Sequence, residues 1–442
     1  MTDDQVIESD TPDSGPSPVF PVRWLVILIV VATLLRLAMA GLSSEDLQRD
    51  PDAYVRLANT LVRHGAYAQP GGEVPTAFRP PLYPGLLAGL LEIGVPPSYA
   101  VTGWNLVGCL VQVVAVVCIG RFVLLSRTWT FLAAVGVAFD PLQIRYSVLA
   151  MTECVAGGLL AVAVLFLFRA SRQESVRVWV VAGFFFGFGT LCRPICMICM
   201  VFLLGGMLCQ QFRSGGPLRP IAVRIVCCSV AAGFVLTPWV IRNAVKFGAF
   251  IPATTHGGYT LLLGNNRVFF EEVVNGPSGR WHGESLEQWQ QETKTRAVAD
   301  GVELRDEVAM DRWYYRQSRI EISGAPGSFL KACILRLSRF FAVTGGADQN
   351  LLIRVACGIW YSCVGLGLVV SLLACYGRRT CETLRSDIQI LWLAIGSFVV
   401  MHTVYWANAR MRTPLTVVIC ILSAIGWRWL LQRKQDKPLQ TE

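Results

Sequence analysis

Ten stretches of this 442-residue chain are apolar over enough length to decide its fold class before any motif is considered. They run approximately over residues 24–42, 99–119, 129–139, 147–168, 178–191, 195–210, 221–241, 353–376, 388–406 and 414–431. About 20 helical residues cross the hydrocarbon core of a bilayer; most of these runs approach that length, and 129–139 needs help from its flanks. A bilayer solvates no stray backbone N–H or C=O, so a spanning segment is a helix or a strand of a closed barrel. Continuous apolar runs without period-two alternation exclude the barrel. The expected fold is all-α, a polytopic membrane helix bundle of about ten spans. Charged residues make up 16% of the chain, against about 25% in soluble domains.

The formal charge of +9 does not point to nucleic acid, because most Lys and Arg sit in short segments between apolar runs. With the N-terminus inside, one set of connections holds Arg121/Arg127, Arg169/Arg172/Arg177, Arg213/Arg219/Arg224 and Arg378/Arg379/Arg385. This is the alternation that the positive-inside rule requires, with both termini in the cytoplasm and the protein in the cytoplasmic (inner) membrane. Residues 1–21 are acidic and rich in Ser and Pro, as in a disordered cytoplasmic tail. Residues 22–431 then form the membrane domain and 432–442 a second cytoplasmic tail. Ala38-Met39-Ala40 resembles a signal-peptidase site, but the leading tail is acidic and Arg36 interrupts the run; the reading is a retained first span. The 15 cysteines scatter through apolar runs, so neither a disulfide framework nor a zinc site is expected.

Two polar segments fall outside on this topology, 43–98 and 242–352. In the first, 52–64 has helical spacing and 82–93 reads as an interfacial or re-entrant helix. In the second, 286–300 and 302–323 read as helices, the latter ending at Gly324 before Pro326. Residues 329–344 read as an amphipathic interfacial helix, with Lys331, Arg336 and Arg339 on its polar side. Against the charge rule, Arg79, Arg145, Arg193, Arg242, Arg410 and Arg412 stand at the outer mouths of spans. Charges near membrane depth are costly and serve a function or a partner. Any one of them can snorkel to head groups; as a set they suit an anionic ligand.

The acids available to meet them are few. Asp50 and Asp52 precede Tyr54, with Pro51 between them. A carboxylate here is either an N-cap, for which Asp52 is the nearer, or a general base. Glu153, in Met151-Thr152-Glu153 shortly after Arg145, either pairs with an arginine to steady a loop, or orients a catalytic arginine or binds a sugar hydroxyl. Arginine's planar fork matches phosphate oxygens, so one base plus several arginines suits transfer from a lipid-linked phosphate. The sequence holds no phosphate-binding P-loop, nucleophile elbow or HExxH motif. No cofactor is evident, and a divalent cation on a loop aspartate stays open.

The ordered motifs Asp50-Pro-Asp-Ala-Tyr54, His64-Gly65-Ala-Tyr67, Thr76-Ala-Phe-Arg79-Pro-Pro-Leu-Tyr-Pro84, Ser147 to Glu153, Leu191-Cys-Arg-Pro194, Thr237 to Asn243, Gly264-Asn265-Asn266 and Asn408 to Pro414 resemble a known family. They are similar to the GT-C membrane glycosyltransferases, in particular the bacterial dolichyl-phosphate-mannose protein mannosyltransferase-like proteins of glycosyltransferase family 39. The resemblance implies a GT-C-like bundle with outer-face interfacial helices. It also implies an aspartate base in the first outer loop and a polyprenyl-phosphate-linked sugar as donor. Asp50, four residues before Tyr54, fits the family spacing, although Pro51 replaces the acid that often follows; the choice between Asp50 and Asp52 stays open. Arg79, Arg410 and Arg412 match positions expected to face donor phosphate or acceptor. The implied reaction is inverting transfer to an acceptor hydroxyl on lipid, glycan or protein. A transporter of an anionic solute and an inactive scaffold are the rival readings.

Overall fold

The computed structural model describes residues 20–435 apart from 44, 124, 174, 278, 345–350 and 378–379. Nearly all of the expected N-terminal tail, most of the C-terminal one, and Arg378 and Arg379 lie outside the described residues. In chain order the helices are α1 (Val22–Leu42), α2 (Tyr54–His64), α3 (Leu82–Glu92), α4 (Pro97–Phe122), α5 (Arg127–Ala138) and α6 (Pro141–Tyr146). Then come α7 (Glu153–Arg172), α8 (Val176–Cys192), α9 (Ile195–Arg213), α10 (Leu218–Phe247), α11 (Gly257–Gly264) and α12 (Ser285–Ala299). The last are α13 (Glu307–Gly324), α14 (Pro326–Phe340), α15 (Leu351–Tyr376), α16 (Glu382–Val404) and α17 (Thr416–Gln435). No strand occurs among the described residues beyond the isolated bridge of Ala68 with Pro75.

Eight of these helices are long and apolar enough to cross a membrane. The chain is a multi-pass membrane protein. The helix α8, with 17 residues, and α5, with 12, fall short of a bilayer's thickness. Packing directions nevertheless make both of them crossings. The starts of α4 and α7 lie together, Asn105 donating to the carbonyls of Ser147 and Leu149 and Gln112 to that of Cys154. Parallel neighbours need a return between them, and α5 with α6 supplies it. On α8, Gly183 meets Cys228 and Gly187 meets Ala232 and Val235, so α8 and α10 run parallel with α9 returning between them. A Cβ at Gly183 would strike the Cys228 carbonyl, which is how a short helix packs closely against a long one. The ten expected crossings are thus eight long spans plus α5 and α8.

The polar segments form a layer at one end of the bundle. Its joint is Arg336, 1% exposed. Its guanidinium donates to the carbonyls of Thr403 and Val404 at the C-terminus of α16, to Gly264 O and to Asn265 Oδ1. The last carbonyls of a helix lack intrahelical partners and carry its negative dipole end, so a cation buried there satisfies both needs. The amphipathic character expected of this helix is kept, but one residue of its polar side turns inward. In α14 the charged Arg336 faces the protein, and Leu330, Ile334 and Leu337 are exposed. A buried guanidinium with several carbonyl acceptors wins over simple polar-out patterning.

A second clamp joins the two polar segments. Glu307, at the start of α13, accepts from Thr76 Oγ1 (2.5 Å), Ala77 N (2.9 Å) and Thr255 Oγ1 (3.0 Å). Thr255 N also donates to Ala77 O. Within the same layer Asp311 accepts from Gly258 N at 2.7 Å, at the first turn of α11, and burial pushes its carboxyl up from the ordinary 3.8 to about 6. Between those values the folded form holds a proton that the unfolded chain releases, so this group stabilises the fold on acidification through that window and costs stability above it. Asp311→Asn is expected to raise the unfolding temperature in detergent at pH 8. It should also flatten the change in that temperature between pH 4 and pH 7, read by differential scanning fluorimetry.

Candidate functional site

The turn into α2 separates the two aspartates. Ala53 adopts φ 63°, the left-handed region that a side chain other than glycine rarely takes. Asp50 reaches forward past that turn, its two oxygens accepting from Val55 N (3.2 Å) and Arg56 N (2.9 Å). Those amides are orphan donors of the first helical turn, so the helix-capping role suggested for Asp52 belongs to Asp50. The side chain of Asp52 turns aside. Its Oδ1 lies 2.7 Å from Arg79 Nη2 and its Oδ2 3.4 Å from Arg410 Nη1, while its carbonyl accepts from Arg79 Nε.

Arg410 continues the chain of charges inward. Its Nε stands 3.2 Å from Glu153 Oε1, which also receives Arg193 Nη1 at 2.7 Å. Glu153 is 1% exposed, at the first residue of α7, where the helix dipole favours an anion. Sulfur completes the packing, with Met151 Sδ and Met411 Sδ each 2.9 Å from a guanidinium nitrogen of Arg410 and Arg193. The order is Arg79–Asp52–Arg410–Glu153–Arg193. Three guanidinium groups against two carboxylates leave one positive charge in excess.

Tyr54 and Tyr83 flank this row edge-to-face at 5.3 Å, and the Arg79 guanidinium sits 5.6 Å from the Tyr54 ring centroid. Burial holds the Tyr54 phenol up at about 12, so it serves as a neutral donor or wall. Beside the row opens a cleft of about 480 Å³, lined among others by Arg49, Asp50, Arg145, Tyr146 and Met151. Arg145 is exposed and makes no ion pair among the described residues. Met151 touches both the cleft and Arg410.

Two of the expected arginines stand elsewhere. Arg412 is buried, donates to Phe340 O and lies 4.5 Å from the Tyr361 ring centroid. Arg242 donates to the carbonyls of Thr76 and Tyr67, among the rings of Trp239, Tyr67 and Phe247. Both contact backbone, Arg242 through two carbonyls and Arg412 through one, and neither joins the row of charges around Glu153. Glu153 pairs with Arg193 and Arg410 instead of Arg145. Sequence reasoning missed Arg49 in the cleft and the Glu307 clamp that sets Phe78 and Arg79. Arg49 adjoins Asp50 and was within reach of a local reading; Glu307, 231 residues from Thr76, left no local signal. No group of three or more potential metal ligands occurs among the described residues.

The comparisons place this geometry among known folds. The archaeal oligosaccharyltransferase AglB from Archaeoglobus fulgidus, in complex with an inhibitory peptide and a dolichol-phosphate, superposes with a TM-score of 0.55 at 14% identity, covering 96% of this chain and 53% of that one. The chain has the GT-C fold. A second structure of the Archaeoglobus fulgidus oligosaccharyltransferase, tethered to an acceptor peptide, gives a TM-score of 0.56 at 13% identity, over 94% and 50%. ArnT from Cupriavidus metallidurans bound to undecaprenyl phosphate gives 0.46 at 14%, over 95% and 82%. This chain spans about half the length of the oligosaccharyltransferases it matches. Residues 78–240 match the family model of dolichyl-phosphate-mannose-protein mannosyltransferase, a segment that holds Arg79, Arg145, Glu153 and Arg193. No curated protein matches.

Glu153 is the shared anion of the row. Glu153→Gln leaves Arg193 and Arg410 facing a neutral amide in a dry site, and breaking a buried ion pair costs about 3 kcal/mol. The expected outcome is a clear fall in unfolding temperature, whereas Arg145→Gln, at the exposed rim, leaves it unchanged.

Proposed function

We propose that this protein is an inverting glycosyltransferase that moves a sugar from a polyprenyl-phosphate donor to an acceptor hydroxyl, on the outer face of the cytoplasmic membrane. The observation that carries the reading is the shared cleft: Asp50, Arg49 and Arg145 line one space, and the row with its excess positive charge adjoins that space through Met151. The family description of residues 78–240 names a dolichyl-phosphate sugar, and the structurally similar AglB is recorded with a dolichol-phosphate.

In this reading an acceptor O–H gives its proton to Asp50 while its oxygen attacks the anomeric carbon from the face opposite the leaving group. The bond from that carbon to the phosphate oxygen breaks, and the electron pair leaves with the phosphate. Negative charge then grows on the polyprenyl phosphate. Arg145, in the cleft lining, and Arg410, behind Met151, are the donors assigned to that charge, since a donor positioned for developing charge lowers the barrier without reorganising. Asp52 is the orienting anion: both of its oxygens are engaged by arginines, so it holds Arg79 and Arg410 in place. Asp50 gives one acceptor to each of two helix amides, which aims it, and its second lone pairs remain for a proton. A transporter is the weaker reading, because the charged row gathers at one end of the bundle with the cleft.

Transfer from radiolabelled polyprenyl-phosphate sugars to cell-envelope acceptors tests the proposal. Asp50→Asn is expected to lose transfer by about 10²–10⁴-fold, the usual contribution of a positioned general base. Asp52→Asn stays active at reduced rate, and Arg412→Lys has no direct effect on the chemical step. Wild-type activity in both aspartate variants would sink the mechanism.

A further inference from the structure

The two guanidinium groups assigned to the leaving phosphate stand on distant parts of the chain. Arg145 is in the last turn of α6, and Arg410 lies in the 3-10 turn Ala409–Leu415. A helix of only six residues does not hold itself, so Arg145 and Tyr146 are set in the cleft by whatever α6 is tied to. Its tie is Gln143, 1% exposed. The Gln143 backbone N–H donates to Asp140 Oδ1 at 2.9 Å, and its carbonyl accepts from Ser147 N at 3.1 Å, which closes the turn around Arg145 and Tyr146. The side-chain Nε2 donates to Gln112 Oε1 at 2.7 Å and to Thr413 O at 3.0 Å. On the other edge, Oε1 accepts from Gln112 Nε2 at 3.3 Å and from Cys109 Sγ at 3.4 Å. Gln112, also buried, donates onward to Cys154 O at 3.1 Å, one residue past Glu153.

On the reading of the Asp50 cleft as the transfer site, we infer that Gln143 is a positioning residue, whose amide sets how Arg145 and Arg410 stand relative to each other and to Glu153. Gln143 does not line the cleft. It acts through its neighbours, for Arg145 follows it by two residues and Arg410 precedes its acceptor Thr413 by three. The place needs an amide, which donates on one edge and accepts on the other; a carboxylate only accepts, and would turn lone pairs on Gln112 Oε1 and Thr413 O. Thr413 O already receives Thr416 Oγ1 at 2.8 Å, so the bond from Gln143 is not needed to satisfy that carbonyl. What it adds is a link between α6 and the 409–415 turn. Donors from two turns have to meet one phosphate together, and a misplacement of about 1 Å costs about 10²-fold in rate.

The test compares Gln143→Met with the double substitution Gln112→Met/Gln143→Met in the full chain purified in detergent. Unfolding temperature, transfer from a polyprenyl-phosphate sugar, and hydrogen exchange of residues 141–147 and 409–415 are read on the same samples. Gln143→Met alone strands the side-chain carbonyl of Gln112 and lowers the unfolding temperature. Replacing both amides by apolar chains of similar shape is close to neutral for stability, so the double variant recovers the temperature while the link to Thr413 stays broken. Its kcat is expected to remain about 10²-fold down with the acceptor KM unchanged, and both segments exchange faster than in wild type. Gly157→Ala keeps every hydrogen-bonding group, and its methyl would lie 2.8 Å from Gln112 Nε2. The shifted amide is expected to lower kcat about tenfold, which covers the case in which the double variant fails to fold. Transfer that returns with the unfolding temperature, or an unchanged kcat in Gly157→Ala, overturns the inference. Absence of transfer from wild type overturns the transfer reading instead; hydrogen exchange then decides, and equal protection of both segments in wild type and the variants overturns the positioning role.

Discussion

A carboxylate 1% exposed at the start of a membrane-spanning helix is tolerable only with positive partners at hand, and Glu153 has two. That requirement fixes much of the rest. Arg193 sits at the junction of α8 and α9, and Arg410 lies in the turn between α16 and α17, so one anion gathers four spans around the first turn of α7. Arg410 then reaches Asp52, 358 residues away in sequence, and brings the first polar segment onto the bundle. A buried charge row of this kind adds little net stability over a well-packed apolar core, yet removing one member strands the others. Its value is geometric: every cation in it is held from at least one side.

The layer above obeys the same economy of donors. Arg336 caps the carbonyls that end α16 and fixes α11 and α14 to them. Glu307 ties Thr76 and Ala77 to Thr255, and Arg242 holds Thr76 and Tyr67 from below. Phe78 and Arg79 emerge between these clamps with little freedom. Their neighbour His256 meets Phe78 edge-to-face at 4.2 Å, and burial together with Arg79 drives its imidazole well below the ordinary value, so it is a neutral ring in that wall. The loop bearing the aspartates is therefore braced by elements more than two hundred residues away.

The membrane spans were legible because about twenty apolar residues admit one solution in a bilayer, and even α5 and α8, too short alone, were placed by the alternation of Arg-rich connections. The helices α2, α3, α12, α13 and α14 were legible too, from spacing and from Gly324 and Pro326. The partners were not. Six outer arginines look alike in sequence, and what separates Arg410 from Arg412 is that residues two apart in the tight 3-10 turn Ala409–Leu415 point to different sides, one to Asp52 and Glu153, the other to Phe340 and Tyr361. Asp50 and Asp52 were likewise a choice between two roles, and it took the left-handed turn at Ala53 to set one carboxylate on the α2 amides and the other between arginines. Arg336 shows the same limit, since polar-out patterning has no way to register a ring of unsatisfied carbonyls.

The central claim, that the cleft beside Asp50 is where a lipid-linked sugar phosphate reacts, is tested most directly by a structure of the protein with a non-transferable polyprenyl-phosphate sugar. The account predicts the phosphate within hydrogen-bonding distance of Arg145 or Arg410, and the anomeric carbon on the side of the cleft that Asp50 faces. A phosphate bound away from both arginines, with Asp50 still closed on the amides of α2 and remote from the sugar, would contradict it.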